Sequence, residues 1–230
     1  MPRRQCGRSH RTVAGTVLGR VCASLAPMSL ERVCVYCGSS RGDDPAYVAA
    51  AEATGRALVD RDIDLIYGGG AVGLMGVIAD AVLDAGGRVT GVIPGFLDAR
   101  EIAHPGVTDL RIVESMHERK ALMAELSDGF VGLPGGLGTF EELFEAMTWT
   151  QLGIHDKPVG LLDVDGYWAP VHALLDQAVA EGFLRDDVRG SLLAGQDPGA
   201  LLDAFLTWQP PDRNKWIDLD PRSDRSVDRI

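Results

Sequence analysis

Two glycine-rich turns constrain this chain more than any other feature. One reads Tyr67-Gly68-Gly69-Gly70-Ala71-Val72-Gly73-Leu74-Met75-Gly76, the other Leu133-Pro134-Gly135-Gly136-Leu137-Gly138-Thr139-Phe140-Glu141-Glu142. Each follows a short apolar run and opens an amphipathic segment, so each predicts a strand that passes directly into a helix. Glycine lets the backbone come close to a ligand, and the first N–H groups of a helix have no partner within it. Such an end is a ready anion site, usually for phosphate. The second turn also places Glu141 and Glu142 in the expected first turn of its helix. A phosphate cradle beside a carboxylate points to chemistry on a phosphorylated molecule.

The same alternation runs along the chain. Strands are expected at 32–37, 64–67, 88–93, 109–113, 129–133 and 159–162. Helices are expected at 45–61, 74–85, 116–126, 139–152, 167–181 and 198–208, with 96–106 irregular. This order implies an α/β fold: a Rossmann-like, doubly wound, mainly parallel sheet with helices on both faces. Ligands of such sheets sit beyond the carboxyl ends of the strands. Both glycine turns fall there, so they are expected to share one crevice.

The length of 230 residues suffices for one domain with a full core. The net charge is −11, yet Met1–Pro27 holds Arg3, Arg4, Arg8, Arg11 and Arg20 and no acid, so the body is more acidic still. An acidic body is a poor non-specific binder of nucleic acid, and any anionic ligand must be held by a local device. The apolar runs are too short to cross a bilayer. Met1–Pro27 is expected to be a disordered basic arm, 28–208 a single domain, and 209–230 a flexible tail. Cys34-Val35-Tyr36-Cys37 has C-x-x-C spacing, but Cys34 lies within a strand and no second pair completes a zinc site. A buried strand thiol and a reducing cytoplasm are expected. No cofactor or metal is called for.

Gly68, Gly70 and Gly73 satisfy G-x-G-x-x-G. A dinucleotide site wants an acid near the end of the next strand, and Thr90-Gly91-Val92-Ile93-Pro94 has none. These glycines could also serve tight helix–sheet packing alone. Pro134 to Thr139 is more specific: three glycines and then a hydroxyl can give several donors to one phosphate. Thr139 and Glu142 also have the spacing of a capping box, which leaves Pro-Gly-Gly without a reason. Ser115-Met116-His117-Glu118-Arg119-Lys120 opens another helix. A basic pair in its first turn would oppose the helix dipole, which hints at an anionic partner, although a solvated face is the ordinary reading of such charge.

These residues together resemble the Lonely-guy family of cytokinin riboside monophosphate phosphoribohydrolases, once labelled lysine decarboxylases. The pattern P-G-G-x-G-T-x-x-E stands at Pro134–Glu142, and the companion run at Ser115–Lys120. Cys37-Gly38-Ser39-Ser40 and Thr148–Val159 look like it too. The resemblance implies a homodimer that hydrolyses the N-glycosidic bond of N6-modified adenosine monophosphates, giving free base and ribose 5-phosphate. It implies Arg119 and Glu142 as the catalytic pair. It implies Glu101, Arg119, Lys120, Gly136, Leu137, Gly138, Thr139, Phe140, Glu141, Glu142 and Thr148 as nucleotide contacts. Gly135, and Gly69 and Gly70 of the first turn, join them as cradle residues. Whether Arg119 holds phosphate or positions Glu142 and the ribose is open. A non-catalytic nucleotide carrier or sensor on the same fold is the alternative. A decarboxylase would need pyridoxal phosphate on a lysine, and Lys120 and Lys157 have no such context. For the dimer, Leu143, Met147 and Thr150 form a stripe on the 139–152 helix, widened by Phe144 and Trp149. Part of that helix and of 116–126 is expected at the interface.

Overall fold

The structure, a computed structural model, describes residues 29–97 and 103–212. Met1–Pro27, Glu101 and most of the expected tail lie outside them. The strands are β1 (Arg32–Tyr36), β2 (Asp64–Tyr67), β3 (Val89–Pro94), β4 (Asp109–Val113), β5 (Gly129–Gly132), β6 (Val159–Leu162) and β7 (Leu192–Gly195). The helices are α1 (Pro45–Val59), α2 (Gly73–Asp84), α3 (Met116–Leu126), α4 (Leu137–Leu152), α5 (Ala169–Ala180), α6 (Asp186–Ser191) and α7 (Pro198–Phe205). All neighbouring strands pair in parallel, in the order β4-β3-β2-β1-β5-β6-β7. The order reverses between β1 and β5, which are adjacent in space.

Two-residue periodicity divides the core between the sheet faces. Val33, Val35, Leu65 and Tyr67 pack with Leu58, Ile78, Val82 and Phe205 of α1, α2 and α7. Cys34, Tyr36 and Ile66 pack on the other face with Met123, Leu143, Ala146 and Leu175 of α3, α4 and α5. Two members of the stripe expected on a partner surface are therefore core, since Leu143 and Thr150 are both buried.

Five differences from the sequence reading have physical causes. First, α6 and β7 are additional. Leu192–Gly195 has no β-branched residue, and becomes a strand because its backbone pairs along β6. Second, the expected tail begins packed. Arg185 donates to Asp212 O at 2.8 Å, and Pro211 is buried. Third, the described part of 96–106 is not irregular throughout. Residues 95–97 are helical, and Ala103 bridges Gly70. His104 N–H donates to Gly69 O at 3.0 Å, while its ring meets Asp80 at 2.9 Å. Fourth, α4 starts at Leu137, with Gly136 as a cap that makes no side-chain hydrogen bond. Thr139 is thus inside the helix, no capping box forms there, and Glu141 and Glu142 fall in the second turn. Fifth, the cap forms instead on α3. Glu118 N–H donates to Ser115 Oγ at 3.1 Å, and Glu118 Oε2 accepts from Glu114 N–H at 2.8 Å. Arg119 and Lys120 therefore follow the first turn rather than sit in it.

His155, just beyond α4, stacks on Phe130 with ring centroids 5.2 Å apart. Burial, and then the charge of Lys157, push its pKa from 6.5 down to about 4. The unfolded chain binds that proton near pH 6.5 and the folded chain does not, so stability falls as pH drops from 6.5 toward 4. The melting temperature is expected to fall less steeply across that window in His155→Phe than in the wild type. Equal slopes would remove His155 from the acid response.

Candidate active site

The carboxyl ends of β1, β2 and β5 surround a cleft of about 190 Å³. Tyr36 and Cys37 come from β1 and its end, Gly68 from β2, Arg119 from α3, and Gly136–Thr139 and Glu142 from α4 and its cap. This is the place where the strand order reverses, the usual ligand position in such sheets. Both glycine turns reach it.

Arg119 and Lys120 are each only 6 % exposed, so the solvated-face reading fails for both. Arg119 crosses the ends of two strands: Nη2 donates to Gly68 O at 2.8 Å and Nε to Val92 O at 3.1 Å. Nη1 lies 3.7 Å from Met116 Sδ. A guanidinium has five N–H donors, so among the described residues these contacts leave two for whatever enters the cleft. Lys120 turns to α4. Its ammonium binds Glu145 at 2.8 Å and also Glu141. Burial lowers its pKa, but the two carboxylate bonds outweigh that and hold it above the ordinary lysine value. The bridge locks α3 to α4, and Arg119, just before Lys120, and Glu142, just after Glu141, line the same cleft.

Glu142 makes its charge felt on the cleft floor. Cys34, Tyr36 and Cys37 are all held neutral, first by burial and further by the Glu142 carboxylate. Cys34 and Cys37 are free, buried thiols. A thiol raised in this way is a poor nucleophile, so Cys37 is a wall of the cleft rather than its reagent. Tyr36 is stacked on Phe130, with centroids 5.9 Å apart and planes 8° from parallel.

Above the floor stands the open N-terminus of α4. A Cβ at Gly136 or Gly138 would meet nothing within 4 Å, so these two glycines leave room for a ligand. A Cβ at Gly73 would strike the Ser39 carbonyl carbon at 2.2 Å, so that glycine serves packing. Thr139 is buried and lines the cleft. A second cavity of about 280 Å³ adjoins, lined by Ser39, Ser40, Arg41, Gly135, Gly136 and Tyr167 among others.

The structure separates the expected contacts into groups. Arg119, Gly136, Leu137, Gly138, Thr139 and Glu142 line the cleft, and Gly135 lines the cavity beside it. Lys120 and Glu141 are paired with each other. Phe140 packs edge-on against Trp168 at 5.8 Å. Thr148 is exposed and donates to Phe144 O at 2.6 Å. Gly69 and Gly70 are buried against the 103–104 segment. Glu101 lies outside the described residues. Sequence reasoning missed Tyr36, Cys37, Ser39, Met75 and Met123 as lining residues. The end of β1 could have been found, because β1 borders the switch point of any such sheet.

A family profile described as "Possible lysine decarboxylase" matches residues 75–205. The Probable cytokinin riboside 5'-monophosphate phosphoribohydrolase LOGL2 of Oryza sativa subsp. japonica is 49 % identical over 188 residues, 82 % of this chain and 77 % of that protein. Cytokinin riboside 5'-monophosphate phosphoribohydrolase LOG3 of Arabidopsis thaliana is 47 % identical over 187 residues, covering 81 % and 87 %. The chain belongs to the Lonely-guy family. Among solved structures, the molybdenum cofactor binding protein of Rippkaea orientalis superposes with a TM-score of 0.59 at 19 % identity, covering 78 % of this chain and 98 % of that one. The molybdenum cofactor carrier protein of Chlamydomonas reinhardtii gives 0.58 at 19 %, covering 76 % and 96 %. Those likenesses show the fold alone. The Lonely-guy pattern Pro134–Glu142 is the segment that forms the cap and the first turns of α4, the upper wall of the cleft.

Proposed function

We propose that this chain hydrolyses the N-glycosidic bond of N6-modified adenosine 5'-monophosphates, releasing the free base and ribose 5-phosphate. The observation that carries the reading is the meeting of Arg119 and Glu142 beneath the open N-terminus of α4. Relatives named for this activity, about half identical over most of the chain, support it.

The chemistry follows from the geometry. The N–H groups at the start of α4, with the helix dipole, hold the 5'-phosphate. Breaking the ribose–base bond builds an oxocarbenium-like positive charge on the sugar. The Glu142 carboxylate stabilises that charge and orients or deprotonates the attacking water. The carbonyls of Gly68 and Val92 hold the Arg119 guanidinium in place, and its remaining N–H groups bind the nucleotide. Phosphate binding energy is released in the reaction step. Adenosine 5'-monophosphate is therefore expected to exceed adenosine in kcat/KM by at least ~100-fold. Equal values would remove the phosphate role from the α4 turn. A non-catalytic carrier would bind the monophosphate and return it without free adenine.

The working form we propose is a cytoplasmic homodimer. Cys34 and Cys37 as free thiols suit a reducing compartment. No helix among the described residues is long and apolar enough to cross a membrane. At the end of α4, Leu152 and Ile154 are 59 % and 62 % exposed. Ile154 lines a cavity with Ala121, Glu125, Trp149, His155 and Lys157. This surface joins α3 to the end of α4 and suits a second copy. Sedimentation at micromolar concentration is expected to give a dimer. A fully active species of about 25 kDa would refute it, since a standard interface persists there.

A further inference from the structure

We infer that Tyr167 is a positioning residue for phosphate recognition, acting through the peptide that joins Gly135 to Gly136. The inference rests on the monophosphate reading above. A Gly–Gly peptide is conformationally permissive and can turn over at little cost, because neither residue has a Cβ to oppose it. Gly135 lies close against Thr139 and Gly38, whereas a Cβ at Gly136 would stand in open space, so packing does not hold the Gly136 side of this peptide. Yet its N–H is a needed donor of the cradle. Gly136 lines the cleft, and among the described residues no acceptor takes its N–H.

The Tyr167 hydroxyl donates to the carbonyl oxygen of Gly135. The described peptides contain no cis bond. In a trans peptide the C=O and N–H point in opposite directions. Pinning the Gly135 oxygen toward Tyr167 therefore turns the Gly136 N–H away from it, toward the ligand side. The tyrosine is itself fixed. Its ring meets Tyr47 edge-on at 5.9 Å and Trp168 at 5.1 Å. Trp168 is 1 % exposed, and is anchored by its indole to Leu162 O at 3.1 Å and by its backbone N–H to Asp163 Oδ1 at 2.9 Å. The hydroxyl thus ties a mobile type of peptide to the rigid end of β6.

Tyr167→Phe tests this, since it keeps both ring contacts and deletes only the hydroxyl. Tyr167→Met repeats the deletion with a side chain that can repack. The kcat/KM for adenosine 5'-monophosphate is expected to fall about tenfold, and that for adenosine to stay within about twofold, as one lost ordering hydrogen bond predicts. Calorimetric titration with ribose 5-phosphate, which needs no turnover, is expected to show a Kd about tenfold higher. Equal losses on both substrates, or an unchanged Kd, would overturn the inference. A wild type that releases no base from any nucleoside monophosphate would defeat the proposed function alone, and the titration would still decide the role of Tyr167.

Discussion

Glu142→Gln is expected to lower turnover of adenosine 5'-monophosphate by at least ~100-fold with the fold intact. The amide keeps the shape of the side chain and much of its hydrogen bonding, so packing on α4 is undisturbed. It loses the negative charge that faces the positive sugar in the transition state. It also loses the ability to take a proton from water. KM is expected to change little, because the phosphate is held elsewhere, by the α4 turn. Near-normal base release by this variant, measured by chromatography of free adenine, would take Glu142 out of the mechanism. The loss of charge has a second readout. Glu142 helps to hold Tyr36 and Cys37 neutral, so both should ionise more readily in the variant, although burial remains the main cause.

Gly68→Ala is expected to cost about 100-fold in kcat/KM, the order that misplacing a catalytic group by an ångström can cost. A Cβ at Gly68 would lie 2.1 Å from Arg119 Nη2. Gly68 has no positive φ, so alanine suits its backbone. The atom that must move is the end of a flexible side chain, not the sheet. Arg119 therefore leaves the Gly68 carbonyl while β2 stays in place. Losing one buried, charge-assisted hydrogen bond costs about 1.5–3 kcal/mol, a drop of several degrees in melting temperature. Activity that survives with a displaced guanidinium would show that the position of Arg119 is not required.

Much of this was legible in the chain. Asp64–Tyr67, Asp109–Val113, Met116–Leu126 and Val159–Leu162 have the bounds that periodicity predicts. The two turns meet at one cleft, as their places at strand ends imply. Arg119 and Glu142, taken from the resemblance, line it together. The failures share a cause. Leu192–Gly195 has little strand propensity of its own and depends on β6 for its pairing. Thr139 and Glu142 have capping-box spacing, but the helix starts earlier, at Leu137 with Gly136 as its cap. The partners of Lys120, Glu141 and Glu145, come from another helix, 21 and 25 residues away in the chain, so local sequence does not show the pairing.

The alternation of strands and helices, the two glycine turns, and the acid and base available at them can all be read along the chain. Those signals are local: a periodicity of two or 3.6 residues, or a run of glycines, is complete within about one turn or strand. What the charges do depends on contacts between distant segments. Arg119 and Lys120 are neighbours with the same charge. One is bound by backbone carbonyls at the sheet ends, with Gly68 O 51 residues away, and the other by two carboxylates on α4. A buried charge must find its partners wherever the fold brings them, because leaving it unpaired away from water costs several kcal/mol. That requirement acts across the whole chain, so no short window of residues contains it.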